Sequence, residues 1–210
     1  EGIEVIVKVQ YPGVDTSCDS DLKQLRMTLK LGGLLKIPKE SADQLFAEIR
    51  ERLHEELDYV NEAKNLKRFQ AFHKDSEGLI IPDVIDALST KRVLTLKLVE
   101  GDHISELADN DAYDQATINL IGHRLFTTMA DQLFRFHSIH GDPHAGNFAF
   151  RPDGTLIMYD FGCVKQLKPE IVEAYQHTLI SALKEDYKAL DRYLIDLGVR
   201  VADKPAINEG

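Results

Sequence analysis

Residues 140–162, HGDPHAGNFAFRPDGTLIMYDFG, constrain this chain more than any other stretch. They carry Asp142, Asn147 and Asp160 in that order. Asn147 follows Asp142 by five positions (147 − 142), and Asp160 follows it by eighteen (160 − 142). Phe148–Phe150 reads as a short strand. Pro152, Asp153 and Gly154 read as a turn, because Pro fixes φ for a first central position and Gly tolerates positive φ. Residues 155–159 read as the returning strand. A hairpin brings its end back to its start, so the spacing predicts that Asp160 lies beside Asn147. Two carboxylates and an amide oxygen are the hard ligands that Mg²⁺ shares with phosphate.

The same gap from Asp to Asn, followed by D-F-G, is that of the kinase catalytic loop and its metal-binding turn. There the first Asp takes or orients the proton of the attacking hydroxyl, while the Asn and the D-F-G Asp hold Mg²⁺ against the phosphates. On that pattern Asp142 is the catalytic-loop residue, and Asn147 and Asp160 are the metal ligands. Residues 4–10, EVIVKVQ, read as a strand with Lys8 inside it, placed to reach phosphate if a helix glutamate steadies it. Glu62 is that glutamate. The plainer readings are an outward lysine on an alternating strand and a solvated charged stripe on an amphipathic helix.

The rest of the chain supplies a frame. At 210 residues it is long enough for a real core. A net charge of −10 argues against a nucleic-acid binder or a polybasic membrane anchor. Cys18 and Cys163 make no disulfide framework and no metal spacing, which suits a reducing compartment. No apolar run approaches a membrane span. Helices are expected over 17–36, with Gly32 and Gly33 weakening its far end, and over 41–72 as one unbroken helix with Leu45, Ile49, Leu53, Leu57 and Val60 on its apolar face. On that helix Asp58 and Glu62 share a stripe, and Glu56 points to another side. Strands follow over 79–88, broken by Pro82, and over 92–99, with a turn at residues 89–91. Leaving that sheet, the backbone groups of Lys97 and Val99 hold the hinge position, where an adenine would be hydrogen-bonded. Residues 102–107 read as a short helix or turn. Residues 113–139 read as a long helix with Leu120, Leu125, Met129, Leu133 and Phe136 along one side, a buried pillar leading to the catalytic loop. Helices over 169–184 and 187–197 finish the fold, with a frayed last dozen residues. Too few residues separate Gly162 from the 169–184 helix for an activation segment, so no peptide-substrate platform is expected.

Four stretches together resemble the UbiB/AarF/ADCK family of atypical kinases: VKVQYPGV around Lys8, EELDYVNEA around Glu62, HGDPHAGNF and DFG. The resemblance implies an α+β, protein-kinase-like two-lobed fold. A small N-lobe of a few antiparallel strands and long helices would occupy 1–101, and a mostly helical C-lobe 102–210. It implies that Lys8 pairs with Glu62 and binds phosphate, that Asp142 is the catalytic-loop Asp, and that Asn147 and Asp160 carry Mg²⁺. Glu56 and Asp58 match the family's E-x-D element, whose partner is a K-x-G-Q segment. That segment and the Ala-rich phosphate loop lie N-terminal to the lysine strand, so the chain reads as N-terminally truncated. The implied cofactors are ATP or ADP with Mg²⁺. The implied activity is an ATPase or phosphotransferase supporting ubiquinone or other isoprenoid-lipid metabolism. The implied partners are nucleotide, isoprenoid lipid and ubiquinone-biosynthesis proteins, with membrane association through regions outside this sequence. The implied location is the bacterial cytoplasm or inner-membrane periphery, or mitochondria or plastids in a eukaryote. The alternatives are a small-molecule kinase of the aminoglycoside or choline type, a non-catalytic pseudokinase scaffold, and a metal hydrolase using His140, Asp142 and His144.

Overall fold

The computed structural model describes residues 2–31 and 38–202. Strand β1 (Val5–Val9) leads through a turn with Gly13 at φ 79° into helix α1 (Val14–Leu31). Helices α2 (Lys39–Glu56) and α3 (Tyr59–Phe72) follow. Then come β2 (Leu79–Ile80), a single 3₁₀ turn (Asp86–Leu88), β3 (Val93–Lys97), α4 (Ile104–Leu107) and α5 (Gln115–Phe134). Strands β4 (Ser138–His140), β5 (Phe148–Phe150), β6 (Leu156–Met158) and β7 (Val164–Gln166) precede helices α6 (Pro169–Leu183) and α7 (Tyr187–Asp196). The fold is α+β, as expected. It forms two compact units. One runs to Arg124 and includes Asp142–Val164; the other is Leu125–Gly141 with the chain from Lys165 onward.

In the first unit β1 pairs antiparallel with β3, Val5 opposite Lys97 and Val9 opposite Val93. The apolar residues of β1 are not its buried ones. Val5, Val7 and Val9 are 37, 49 and 62% exposed, and Lys8 is the strand's best-buried residue. Proline has no amide hydrogen to donate to a ladder, and with Pro82 in its path the strand expected over 79–88 stops at Ile80. Residues 83–85 instead dock on β3 through Ile85 N–H to Thr95 O and Lys97 N–H to Asp83 O, both 2.8 Å. The tight turn falls at residues 91–92 rather than 89–91, closed by Thr90 N–H donating to Val93 O at 2.7 Å. Ser89 is instead held by its hydroxyl, which donates to Ile85 O at 3.0 Å.

The helix expected to run unbroken from 41 to 72 is two helices. Leu57 ends α2, and Asp58 leaves helical geometry at φ −93°, ψ 76°, its carboxylate accepting from Asn61 N–H at 3.0 Å. An aspartate satisfying an orphan amide is an N-cap, and here it outweighs the continuing apolar spacing. The break also resets the buried face. Leu45 and Val60 are 45 and 42% exposed, α2 buries Ala42 and Phe46, and α3 buries Glu62, Asn65, Leu66 and Phe69. Asp58→Ala is expected to lower stability by about 1 kcal/mol, read as a shifted urea midpoint with an unchanged slope. The far end of the helix expected over 17–36, with Gly32 and Gly33, lies outside the described residues.

The hairpin at 148–158 forms as expected. Gly154 takes φ 81° and its N–H donates to Arg151 O at 2.8 Å. Phe148 pairs with Met158 and Phe150 with Leu156, β2 adds in parallel on β6, and β5 and β6 are buried throughout. The hairpin is anchored by Tyr113, whose hydroxyl donates to Asp102 Oδ2 at 2.6 Å and to Phe150 O at 3.1 Å.

In the second unit α5 ends at Phe134, short of the expected 139, because His137 turns the chain at φ 50°. Residues 138–140 become β4, paired with β7, and Gln132 Oε1 accepts from His140 N–H at 3.0 Å. The apolar pillar is also narrower than expected. On α5, Ile121, Thr128 and Gln132 are buried, and Leu120 and Phe126 are 39 and 74% exposed. Helices α6 and α7 pack together with His177 stacked on Tyr193 at 4.8 Å, and Asp186 caps α7. Of the last dozen residues, those beyond 202 lie outside the described residues. Among the described residues no helix is long and apolar enough to cross a membrane.

Candidate functional site

One face of α3 gathers three separate parts of the chain. Lys8 Nζ on β1 donates to Glu62 Oε1 at 2.6 Å and to Asp160 Oδ2 at 3.2 Å. Three residues after Glu62, Asn65 Nδ2 donates to Phe161 O at 3.0 Å. Four further on, the Phe69 ring packs against Phe161 with centroids 4.8 Å apart, and both rings are fully buried. Positions i, i+3 and i+7 share a helix face, so α3 fixes the lysine, the D-F-G aspartate and the D-F-G phenylalanine together. Asn65 and Phe69 are the residues that the motifs missed. Their one signal in the sequence is that spacing from Glu62.

The electrostatics are strained in a useful way. Burial pushes the Glu62 carboxyl up, and the Lys8 ammonium pulls it only part of the way back. Burial works to lower Lys8, but the Glu62 and Asp160 carboxylates outweigh it and raise the ammonium above the ordinary lysine value. Glu56 is pushed up by burial and then by the negative charges of Asp160 and Asp142, with Lys8 opposing. A Cβ added at Gly162 would meet Glu56 Oε2 at 3.2 Å and Asp160 Oδ1 at 3.3 Å, so the Glu56 carboxylate borders the D-F-G glycine.

The loop after β4 is folded by its own polar groups. His144 N–H donates to Asp142 O at 2.8 Å, and Gly146 N–H donates to His144 Nδ1 at 3.1 Å. Asn147 Nδ2 donates to Asp142 O at 2.9 Å and to Asp142 Oδ2 at 3.3 Å. Tyr159 N–H donates to Asn147 O at 3.0 Å, which sets Asp160 next to Asn147 as the hairpin spacing required. Asp160 Oδ1 accepts from Gly162 N–H at 2.9 Å. His144 is thus a cap of the loop, which removes the observation that favoured a metal hydrolase.

Of the residues singled out from sequence, Lys8, Glu62 and Asp160 meet directly, Asp142 meets Asn147, and Glu56 faces the acidic group. Asp58 does not join them; it caps α3. At Lys97 and Val99 one backbone group of each is engaged within the fold: the Lys97 amide donates to Asp83 O, and the Val99 carbonyl accepts from the Tyr159 hydroxyl at 2.9 Å.

The donor set suits Mg²⁺. Asp160 and Asn147 offer a carboxylate and an amide oxygen, since the Asn147 nitrogen is turned to Asp142. Glu56 feels the negative charges of Asp160 and Asp142, while the nearby Lys8 ammonium is already paired to Glu62, an excess of negative charge that a divalent cation relieves. Among the described residues no three His, Cys, Asp or Glu side chains form a self-sufficient metal cage. Mg²⁺ commonly binds through one or two carboxylates plus substrate phosphate.

A strand lysine ion-paired to a helix glutamate, with a D-F-G aspartate on the same ammonium, defines the protein-kinase-like class. Within it, the chain belongs to the ABC1 atypical kinase-like domain family, whose model matches residues 1–194. It is 32% identical over 199 residues to the Saccharomyces cerevisiae mitochondrial atypical kinase COQ8, covering 94% of this chain and 39% of that protein. It is 29% identical over 215 residues to the Caenorhabditis elegans mitochondrial atypical kinase coq-8, covering 100% of this chain and 28% of that one. Among solved structures it resembles Rv3197 from Mycobacterium tuberculosis, described in complex with erythromycin, with a TM-score of 0.76 and 28% identity over 99% of this chain and 52% of that one. The chain therefore spans well under half the length of these curated relatives. Their names place them in mitochondria, and an Arabidopsis thaliana relative, 31% identical over 99% of this chain, is named as chloroplastic.

Proposed function

We propose that this chain carries the phosphate-binding and catalytic half of a Mg²⁺-dependent ATPase or phosphotransferase that serves ubiquinone or related isoprenoid-lipid metabolism. The observation that supports it most is the single Lys8 ammonium held between Glu62 and Asp160. Glu62 keeps Lys8 extended so that the ammonium can meet the α- and β-phosphates of ATP or ADP. Asp160 and Asn147 would hold the metal, which when bound neutralises phosphate charge. Asp142 accepts or orients the proton of the attacking hydroxyl or water, and Asn147 fixes its carboxylate through the 3.3 Å hydrogen bond. Such chemistry depends on positioning and charge stabilisation more than on covalent help. Only residues 163–168 link Gly162 to α6, which favours a small acceptor over a docked peptide. The family link to isoprenoid lipids and the relatives' organelle names support a lipid-metabolic setting in a mitochondrion, plastid or bacterium.

The test is a calorimetric titration of ATP into the full-length protein with Mg²⁺ present or chelated. Binding is expected with Mg²⁺ and is expected to weaken at least about 10-fold with EDTA. Equal binding in both would remove the metal from the proposal; none in either would remove the nucleotide.

A further inference from the structure

Beside α3, on residues the nucleotide site does not use, lies a groove of about 310 Å³. Its floor is Tyr59, Val60 and Ala63; its rim carries Lys64, Lys67 and Lys91. Asp86 is the one carboxylate in its lining, bound to Lys67 Nζ at 2.5 and 2.7 Å. Three lysines against one aspartate leave a local charge of +2, on a chain whose net charge is −10. Val60 is 42% exposed at the groove, an apolar side chain left open between cations.

We infer that this groove docks a short acidic segment of a partner protein, one apolar or aromatic side chain seated on Tyr59, Val60 and Ala63 with flanking carboxylates on Lys64 and Lys91. Charge complementarity selects the occupant: carboxylates find cations here, on a chain whose net charge is otherwise negative. The concave shape favours an inserted side chain over a flat lipid surface. The floor also reaches the Lys8 site. Lys8 Nζ lies 5.6 Å from the Tyr59 ring centroid, and Glu62 is on the next turn of α3. An occupant pressed on Tyr59 and Ala63 therefore steadies the turn that holds Lys8. The docking claim itself stands whether or not ATP is the ligand of that site.

The experiment uses the full-length protein and a fluorescein-labelled hexapeptide with one phenylalanine flanked by glutamates and aspartates. Fluorescence anisotropy should show saturable binding that weakens with added salt. The double reversal Lys64→Glu with Lys91→Glu should weaken it by about tenfold or more, since two attractions become repulsions. Ala63→Trp, which fills the floor and leaves charge untouched, should abolish it. Hydrogen exchange should slow at the amides of residues 59–67 when the peptide is added. Binding that ignores both variants overturns the inference. So does lysine-dependent sedimentation with phosphatidylglycerol vesicles when the peptide does not bind, which would make the patch a membrane contact.

Discussion

Asp160→Asn is expected to abolish Mg²⁺-dependent nucleotide binding, by about 100-fold or more, while leaving the fold intact. Asparagine keeps the shape and can still accept from Gly162 N–H, the 2.9 Å bond that holds the D-F-G turn. It removes one of the negative charges that push the Glu56 carboxyl up, so repulsion within the apo site falls. It also weakens the 3.2 Å contact to Lys8 but leaves the 2.6 Å pair to Glu62 in place. Unchanged thermal stability with lost binding is therefore the expected pair of results, measured by scanning calorimetry and titration on the same preparation. Retained Mg²⁺-dependent binding would show that the metal is held elsewhere.

Lys8→Met is expected to destabilise the protein by about 2 kcal/mol, less than a fully buried pair would lose, because 31% of the Lys8 side chain is exposed. Glu62 is 1% exposed, so the substitution strands its carboxylate without a cation. Adding Glu62→Gln should recover more than half of that loss, since no buried charge then remains. Glu62 already stands above its ordinary value of 4.5 through burial, and losing Lys8 removes the charge that opposes the shift. A raised folded-state value means that the folded protein holds its proton more tightly than the unfolded chain. The Glu62 contribution to the stability of Lys8→Met is thus fully present below pH 4.5 and is lost as pH rises through the folded value. Urea melts of the single and double variants across that range check the sign. A double variant as unstable as the single, or a single variant that gains stability with rising pH, would show that the pair is not the support described.

The catalytic hairpin was legible because its information is local. Pro152 and Gly154 impose their backbone geometry wherever they sit, and a tight hairpin then leaves Asp160 one place to go, beside Asn147. The same locality made the cap at Asp58 readable, yet the apolar spacing from Leu45 to Val60 masked it, because periodicity cannot report a break that keeps hydrophobic residues on both sides. The Lys8 strand was open to two readings, an outward lysine or one turned to a helix glutamate, and the structure shows the second. Its valines look like the buried face, but they stand exposed and the lysine turns inward.

The sequence by itself determined which groups can meet phosphate and metal, since residue type and short spacing set their chemistry and the reach of one hairpin. It also determined the kinase-like family. The tertiary structure shows Glu62 meeting Lys8 as expected, and it alone decided that Asp58 turns away to cap α3, that Asn65 and Phe69 hold the D-F-G turn, and that the Lys97 amide is bonded to Asp83 O. Those choices depend on the rotation of α3 after Asp58 and on how its face packs against strands far away in sequence, and neither is encoded in any short run of residues.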